Sequence, residues 1–235
     1  MKKLLVAVLL LTFSVCAFAQ KDQNYIGRYD VYAGYTYLGS PDMNLSQRGL
    51  NVQTGVNLRK WLAFGVDYSI EFGKGTLTAS KLKPALNQEL VGMLGQTLTN
   101  ELMVPFDATT QTFAAGPNIV FHPRKKLAAF IHPSLGAIHE NISIDPSIGT
   151  PQPYPGLVVG ALLQQGVIKT TKPNDTTYFY GLGGGFEYAA TKHVHIRTDI
   201  EFVHVYLYES LLANSRNSVR ISIGPTFNFG KNINR

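Results

Sequence analysis

Hydrophobic and polar residues alternate one for one along many segments of this chain, most regularly over residues 63–72. One set of this segment is apolar or aromatic: Phe64, Val66, Tyr68, Ile70 and Phe72. The other set is small or charged: Ala63, Gly65, Asp67, Ser69 and Glu71. Because successive side chains of a β-strand point to opposite faces, the pattern predicts a strand with one apolar and one polar face.

Eight segments combine alternation, aromatic content and bounding turn residues, which predicts eight strands. They are Tyr29–Leu38, Leu50–Leu58, Leu62–Phe72, Thr112–Phe121, Leu127–His139, Thr177–Ala189, Val194–Tyr208 and Ser218–Phe229. Short and long connections alternate between them. The short ones are Arg59–Trp61, His122–Lys126 and Ala190–His193. The long ones are Gly39–Gly49, Gly73–Gln111, Glu140–Thr176 and Glu209–Asn217. This layout predicts an all-β fold, an antiparallel transmembrane β-barrel with short periplasmic turns and long extracellular loops.

The polar faces of these segments carry charges of both signs. The candidate charge network of the lumen is Asp67, Glu71, Glu187, Arg197, Asp199, Glu201 and Arg220. Arg59 falls on the same face of the second segment. Charges facing lipid would cost about 2–4 kcal/mol near the midplane, whereas charges in a lumen can pair. An eight-stranded barrel is only wide enough for side chains to fill it. We therefore expect the network to fill and stabilise the lumen, with a narrow gated channel as the alternative.

The opposite faces are apolar, with aromatic residues near the ends of the segments. The candidates for aromatic girdles at the two membrane interfaces are Tyr37, Trp61, Phe72, Phe121, Tyr188, Tyr206 and Phe229. A water-soluble ligand-binding barrel would reverse the arrangement, with apolar side chains inside and polar side chains outside. The pattern therefore favours a membrane barrel over a soluble periplasmic one.

The first residues have the features of a secretory signal peptide. Lys2 and Lys3 precede an apolar run, and the sequence Ala17-Phe18-Ala19 fits a cleavage site. We expect residues 1–19 to be removed and residues 20–235 to form one outer-membrane barrel domain. The only cysteine, Cys16, lies in the signal peptide, so the exported domain would contain no disulfide. The expected location is the outer membrane of a Gram-negative bacterium.

Two of the long connections contain apolar segments that predict short helices. In the first, leucines recur every four residues, which predicts an amphipathic helix of about five turns. These leucines are Leu82, Leu86, Leu90, Leu94, Leu98 and Leu102. In the second, Gly156–Ile168 is rich in leucine and valine. Either the two helices pack on each other over the barrel mouth, which we favour, or the leucines form a loop surface that binds an unidentified extracellular partner.

Most of the exported part of the chain, and most strongly its last sixty or so residues, resembles the OmpA-like and opacity-protein superfamily of eight-stranded outer-membrane barrels. The resemblance rests on the glycine-rich segment Gly181–Tyr188, the turn Thr191-Lys192-His193, the segment Val194–Asp199 and the closing segment Asn217–Phe229. It implies a barrel in contact with outer-membrane lipids and assembled by the barrel-assembly machinery. That machinery often recognises a terminal aromatic residue. Here six residues follow Phe229, so Phe229 or Phe227 would have to serve.

Candidate catalytic and metal-binding residues are weak. His204 and Ser210 lie near the loop end of the seventh segment, with Glu201 and Glu209 nearby, but no motif of a lipid-modifying enzyme is present. His193 and His195 share a face without a carboxylate at metal-binding spacing. We expect no enzymatic activity, cofactor, metal or nucleic-acid partner, and a monomer. The expected function is a structural or surface-interaction role, with a lipid-modifying enzyme as a further alternative.

Overall fold

In the computed structural model the chain forms a closed barrel of eight antiparallel strands, in sequence order, with the first strand paired to the last. The structure describes residues 25–124, 126–145, 159–160, 163–164, 166, 170–213 and 216–233. The predicted signal peptide, residues 1–19, lies outside the described residues. The strands are β1 (Tyr29–Ser40), β2 (Leu45–Arg59), β3 (Leu62–Thr78), β4 (Met103–Arg124), β5 (Leu127–Ile144), β6 (Asn174–Ala189), β7 (Val194–Val205) and β8 (Arg216–Phe229). The predicted fold class and the number of strands are confirmed.

The two faces of the strands are as the alternation predicts. In β3, Phe64, Tyr68 and Phe72 are exposed on the outside of the barrel, whereas Ser69 and Glu71 are buried inside it. Every strand carries large exposed apolar side chains on its outer face. An apolar surface of this extent is unfavourable in water and is the lipid-facing surface of a transmembrane barrel.

The predicted girdle residues lie on this outer face near the strand ends. Trp61, Phe121 and Phe229 are exposed at the end with the short turns, and Phe72 is exposed towards the other end. The other three, Tyr37, Tyr188 and Tyr206, are half-buried.

Several strands extend beyond their predicted limits at the loop end. β3 and β4 stay paired as far as Thr78 and Met103, so the predicted loop 73–111 shortens to residues 79–102. The predicted long connection 39–49 is wrong, because β1 and β2 continue to a tight turn that contains the short 3-10 helix Pro41–Met43. Glycine has a low intrinsic preference for β-strands, so the glycines in these extensions ended the strands predicted from sequence. Pairing with the neighbouring strand overrides this weak local preference.

The predicted five-turn helix is also wrong, since two shorter helices take its place. They are α1 (Pro84–Leu94) and α2 (Gln96–Asn100), separated by Gly95 at a φ of 83°. A positive φ cannot continue a right-handed helix, so the chain changes direction there. None of the helices in the described residues is long and apolar enough to cross a membrane.

An apolar cap closes the loop end of the barrel. We define the cap as the turn 41–44, the segment 79–102 and the segment 206–213. Its parts are joined by a bridge between Leu82 and Leu212 and by a hydrogen bond of 3.0 Å from the backbone N–H of Lys83 to the carbonyl of Leu211. Its side chains pack with the strand ends into one apolar core. The core includes Met43, Leu45, Leu77, Leu82, Leu90, Leu102, Val104, Phe106, Leu207, Leu211 and Leu212.

The second predicted helix, 156–168, lies largely outside the described residues. Its described residues 159–160 and 163–164 are helical. Val159 is buried in the core of the cap, and Leu163 packs against it. These contacts place the described part of the segment against the apolar core, while packing of the two helices on each other over the barrel mouth stays a prediction.

Candidate functional site: the filled lumen and a basic cavity

The lumen contains three layers of charged side chains, and the lower layer lies nearest the short turns. Its centre is Arg197 on β7, whose Nε and Nη2 donate to Glu187 Oε2 at 2.9 and 2.7 Å. Nη2 of Arg197 also lies 3.5 Å from Asp30 Oδ1, and Nδ1 of His195 lies 2.5 Å from Glu187 Oε1. Two carboxylates compensate the positive charge of the Arg197 guanidinium in a low-dielectric interior. Their contacts keep the side chains of this layer in a fixed geometry.

The middle layer is centred on Arg220 of β8. Its Nε and Nη2 donate to Glu201 Oε2 at 2.9 and 2.6 Å, and its Nη1 lies 2.9 Å from Asp67 Oδ1. The hydroxyls of Ser69 and Thr112 accept further hydrogen bonds from Nη1. Because Asp67 belongs to β3 and Glu201 to β7, Arg220 ties opposite walls of the barrel together.

Asp199 and Glu71 complete the predicted network in the middle layer. Asp199 accepts a hydrogen bond of 2.9 Å from His132 Nε2, a lumen partner that the sequence analysis had not singled out. Glu71 is fully buried but forms no ion pair within the described residues. The structure therefore places all seven predicted lumen residues inside the barrel and pairs six of them. Arg59, in contrast, is exposed, because the pairing register shifts between Asn57 and Arg59.

The upper layer consists of Arg216 and Glu140, which form a bidentate ion pair. Nη1 and Nη2 of Arg216 lie 2.7 and 3.0 Å from the two carboxylate oxygens of Glu140. The hydroxyl of Thr110 donates to Glu140 at 2.8 Å and accepts from the amide of Gln47 at 2.8 Å. Both charged residues fall in predicted loops. If the alternation of the fifth predicted strand is continued from Ile138 to Ile142, Glu140 falls on the inward face, which would have predicted this layer.

An apolar layer separates the middle and upper charge layers. Leu38, Ile138, Phe179, Val203 and Val205 point inward here and are buried. The space left among them is about 10 Å³. A single water needs about 10–15 Å³, so this space holds at most one water molecule.

Inward glycines make room for the charged side chains. A Cβ on Gly183 would lie 2.3 Å from His132 Nε2, and one on Gly181 would lie 2.6 Å from Glu201 Oε1. At these two positions of the sixth strand, glycine leaves the space that the side chains of His132 and Glu201 occupy.

Below the lower charge layer, a cavity of about 510 Å³ opens at the end with the short turns. We call it the basal cavity. Its innermost surface is formed by Asp30, Glu187, His195 and Arg197. Its walls include Ile26, Val120, Leu127, Phe130 and Ala189. The basic residues nearest its opening are Lys60, His122, Arg124, Lys126 and Lys192. This cavity was not predicted from the sequence.

The predicted partner-binding leucines do not form an exposed surface. Leu82, Leu90 and Leu102 are buried in the core of the cap, and Leu86 packs against it. Of the remaining two, Leu98 is exposed and Leu94 ends α1. The prediction of a leucine-lined binding surface is therefore wrong for the buried leucines, because their apolar side chains fill the barrel mouth.

The candidate catalytic residues are not brought together. Glu201 points into the lumen, whereas His204 lies on the outer face of β7, stacked on Tyr180 with ring centroids 5.0 Å apart. Nδ1 of His204 is 2.8 Å from Asn217 Oδ1, and Ser210 is exposed in the cap. His193 and His195 point to different partners, the carbonyl of Asn228 and the carboxylate of Glu187. No group of three or more potential metal ligands occurs within the described residues.

No protein-family model matches this chain. The search of curated proteins found no match. Solved structures do match. The outer membrane protein OprG from Pseudomonas aeruginosa aligns with 89% of this chain and 100% of its own length, at 8% identity and a TM-score of 0.50.

Neisserial surface protein A aligns with 86% of this chain and 96% of its own, at 12% identity and a TM-score of 0.49. Ail, the attachment invasion locus protein of Yersinia pestis, aligns with 86% and 99%, at 15% identity and a TM-score of 0.43. The alignment with OprG, together with the closed ring of eight strands, shows the fold of an eight-stranded outer-membrane β-barrel.

Proposed function

We propose that this protein is an outer-membrane barrel that is closed to diffusion and has a structural or surface-interaction role. The observation that carries the proposal is the filled lumen, in which three charge layers, one apolar layer and the cap succeed one another. A pore would need a continuous path wider than the space beside Phe179. In this proposal, residues 1–19 are the export signal, and Phe227 or Phe229 is the aromatic residue read by the assembly machinery.

Planar-bilayer recording of the refolded barrel tests closure to diffusion. We expect no discrete conductance steps from protein whose folding has been verified by its heat-modifiable migration on gels. Steady single-channel steps from such protein would contradict the proposal and favour the narrow channel.

The exposed surface of the cap is the part available for interaction. Leu98 and Glu89 are exposed on its helices. A strain lacking the protein is complemented with wild type or with the double variant Leu98→Asp and Glu89→Lys. A purely structural role predicts that both restore resistance of the envelope to detergent, whereas a role in surface interaction predicts that only wild type does.

The absence of an assembled catalytic set around His204 supports a non-enzymatic role. We expect phospholipid and lipid A composition to be the same in strains that carry wild type or His204→Ala. A difference in acylation between them would favour the lipid-modifying enzyme.

A further inference from the structure

The barrel is closed at one end and open at the other. The cap and the apolar layer close the loop end, whereas the basal cavity opens at the end with the short turns. Its volume of about 510 Å³ lies within the range of small-molecule sites, roughly 300–1,000 Å³. In an outer-membrane barrel with periplasmic short turns, this cavity opens to the periplasm.

The charges of the basal cavity favour an anion. Its lining contains Lys60, Arg124, Lys126, Lys192 and Arg197, against the two acids Asp30 and Glu187. Both acids are engaged by Arg197 in the lower charge layer. The other four cations form no ion pair with any acid of the described residues. The excess positive charge therefore lies around the opening, where it attracts anions from solution.

The walls of the basal cavity favour a ligand with an apolar part. Val120, Leu127 and Phe130 line it between the basic opening and the lower charge layer. Nζ of Lys192 lies 5.0 Å from the ring centroid of Tyr25, which directs an ammonium group across the opening. A ligand that combines an apolar body with an oxyanion satisfies both surfaces.

We propose that the basal cavity binds a phosphomonoester whose organic part is compact and apolar. Four cations around one opening match a dianionic phosphate better than a single carboxylate, because each cation adds attraction for the second negative charge. The apolar part of the ligand contacts the walls, and the phosphate is held by Lys60 and Lys192 with Arg124 and Lys126. A phosphate of this kind comes either from a soluble periplasmic compound or from phosphatidic acid, the phospholipid whose head group is itself a phosphomonoester.

Phenyl phosphate is the probe for this site. The exported chain is refolded into nanodiscs of zwitterionic phosphatidylcholine, and binding is measured by isothermal titration calorimetry. We expect one saturable site, an affinity that falls with rising salt, and weaker binding of phenylacetate. Lack of saturable binding, or equal binding of phenylacetate, overturns the proposal.

Charge-reversal variants test whether the ligand binds in the basal cavity. Lys60→Glu combined with Lys192→Glu is expected to weaken binding by about tenfold or more, since two attractive contacts become repulsive. The matched control is Arg59→Glu combined with Lys231→Glu. These exposed cations lie at the same end of the barrel but do not line the cavity. Heat-modifiable migration verifies folding of each variant. An equal loss of affinity in the control overturns the proposal, because the anion would then be attracted by the positive charge of this end of the barrel in general and not by the cavity.

A second set of nanodiscs distinguishes the source of the phosphate. If phosphatidic acid in the nanodiscs weakens binding of phenyl phosphate to wild type more than an equal fraction of phosphatidylglycerol does, the site accepts the lipid head group. If the affinity is the same in both membranes at matched salt, the site selects the soluble phosphomonoester. Both results support the site and assign its ligand.

Discussion

Arg216 on β8 holds both carboxylate oxygens of Glu140 on β5, at 2.7 and 3.0 Å, with the two side chains 1% and 0% exposed. These strands are not neighbours in the barrel, since β6 and β7 lie between them. The ion pair therefore crosses the lumen directly beneath the cap and joins two walls that share no backbone hydrogen bonds.

Removing one partner of this ion pair should destabilise the barrel. Arg216→Met leaves the Glu140 carboxylate buried without its cation, which is expected to cost about 3–5 kcal/mol. The double variant Arg216→Met with Glu140→Gln should recover much of this loss, because the uncompensated charge is gone. Urea unfolding of the barrel in lipid vesicles measures both values. A single variant as stable as wild type would show that the pair does not contribute to stability.

Tyr208 predicts a specific sensitivity to alkaline pH. Its hydroxyl donates to the carbonyl of Glu140 at 3.0 Å, and burial together with the Glu140 carboxylate raises the pKa of Tyr208 above its ordinary value of 10.0. A group whose pKa is raised by folding stabilises the protein fully below the unfolded pKa, and this contribution falls as the pH rises above it. Wild type should therefore lose stability above about pH 10.

Tyr208→Phe is the control for this dependence. At neutral pH it should cost about 1 kcal/mol for the lost hydrogen bond. Above pH 10 its unfolding free energy should fall less than that of wild type, as measured by urea unfolding across the alkaline range. Parallel losses in the two proteins would assign the alkaline sensitivity to other groups.

Glu71 and Asp67 should respond in opposite ways to loss of charge. Glu71 is fully buried without an ion pair in the described residues, whereas Asp67 faces Arg220 at 2.9 Å. Glu71→Gln is expected to leave stability unchanged or to raise it by about 1 kcal/mol, because the cost of burying its carboxylate outweighs the attraction by Arg220. Asp67→Asn should lower stability. Equal losses in urea unfolding would indicate that Glu71 also serves as a counter-ion of the middle layer.

Leucines of the cap should differ according to their burial. Leu90 is 1% exposed and Leu98 is 37% exposed. Leu90→Ala removes packing from the core of the cap and should cost about 2–5 kcal/mol, whereas Leu98→Ala should change little. Limited proteolysis from the loop side reports opening of the cap. Faster cleavage of the Leu98→Ala variant than of the Leu90→Ala variant would contradict this assignment.

Two glycines offer a matched comparison of a crowded and an open position. Gly183→Ala would press a methyl group against His132 and should cost about 1–3 kcal/mol. At Gly92 in α1, an added Cβ has no neighbouring atom within 4 Å. Gly92→Ala should therefore stabilise the helix by about 0.5–1 kcal/mol. Thermal gel-shift midpoints measure both changes, and a loss at Gly92 would refute the assignment of open space there.

The membrane-spanning part of the fold could be predicted from sequence because lipid imposes a strict rule on side chains. Outward residues such as Phe64 must be apolar, so a period of two is visible without any knowledge of neighbouring strands. The lumen positions of Asp67, Arg197 and Arg220 follow from the same rule. Their partners do not, because the pairing of Arg197 with Asp30 depends on how the barrel closes.

The part beyond the membrane could not be predicted in the same way. There the strand ends lie in water and carry residues such as Lys74 and Thr76, so the outer face is no longer apolar. The leucines at every fourth residue suggested one continuous helix, although Leu82 and Leu102 flank two short helices and pack inward. The basal cavity depends on how three turns that are distant in sequence meet around one opening. No local pattern records that.

The same strands have a polar inward face in the membrane barrel and an apolar inward face in the cap, so the two parts differ in how unfolding changes the heat capacity. Along the inward face of β4, Thr112 and Thr110 are polar, whereas Phe106 and Val104 are apolar. Unfolding the cap exposes apolar side chains to water and so raises the heat capacity of the system. The lipid-facing side chains of the barrel contribute in this way only when the strands leave the membrane for water. Opening of the cap alone therefore has its own heat-capacity increment, and the temperature dependence of that step originates outside the membrane.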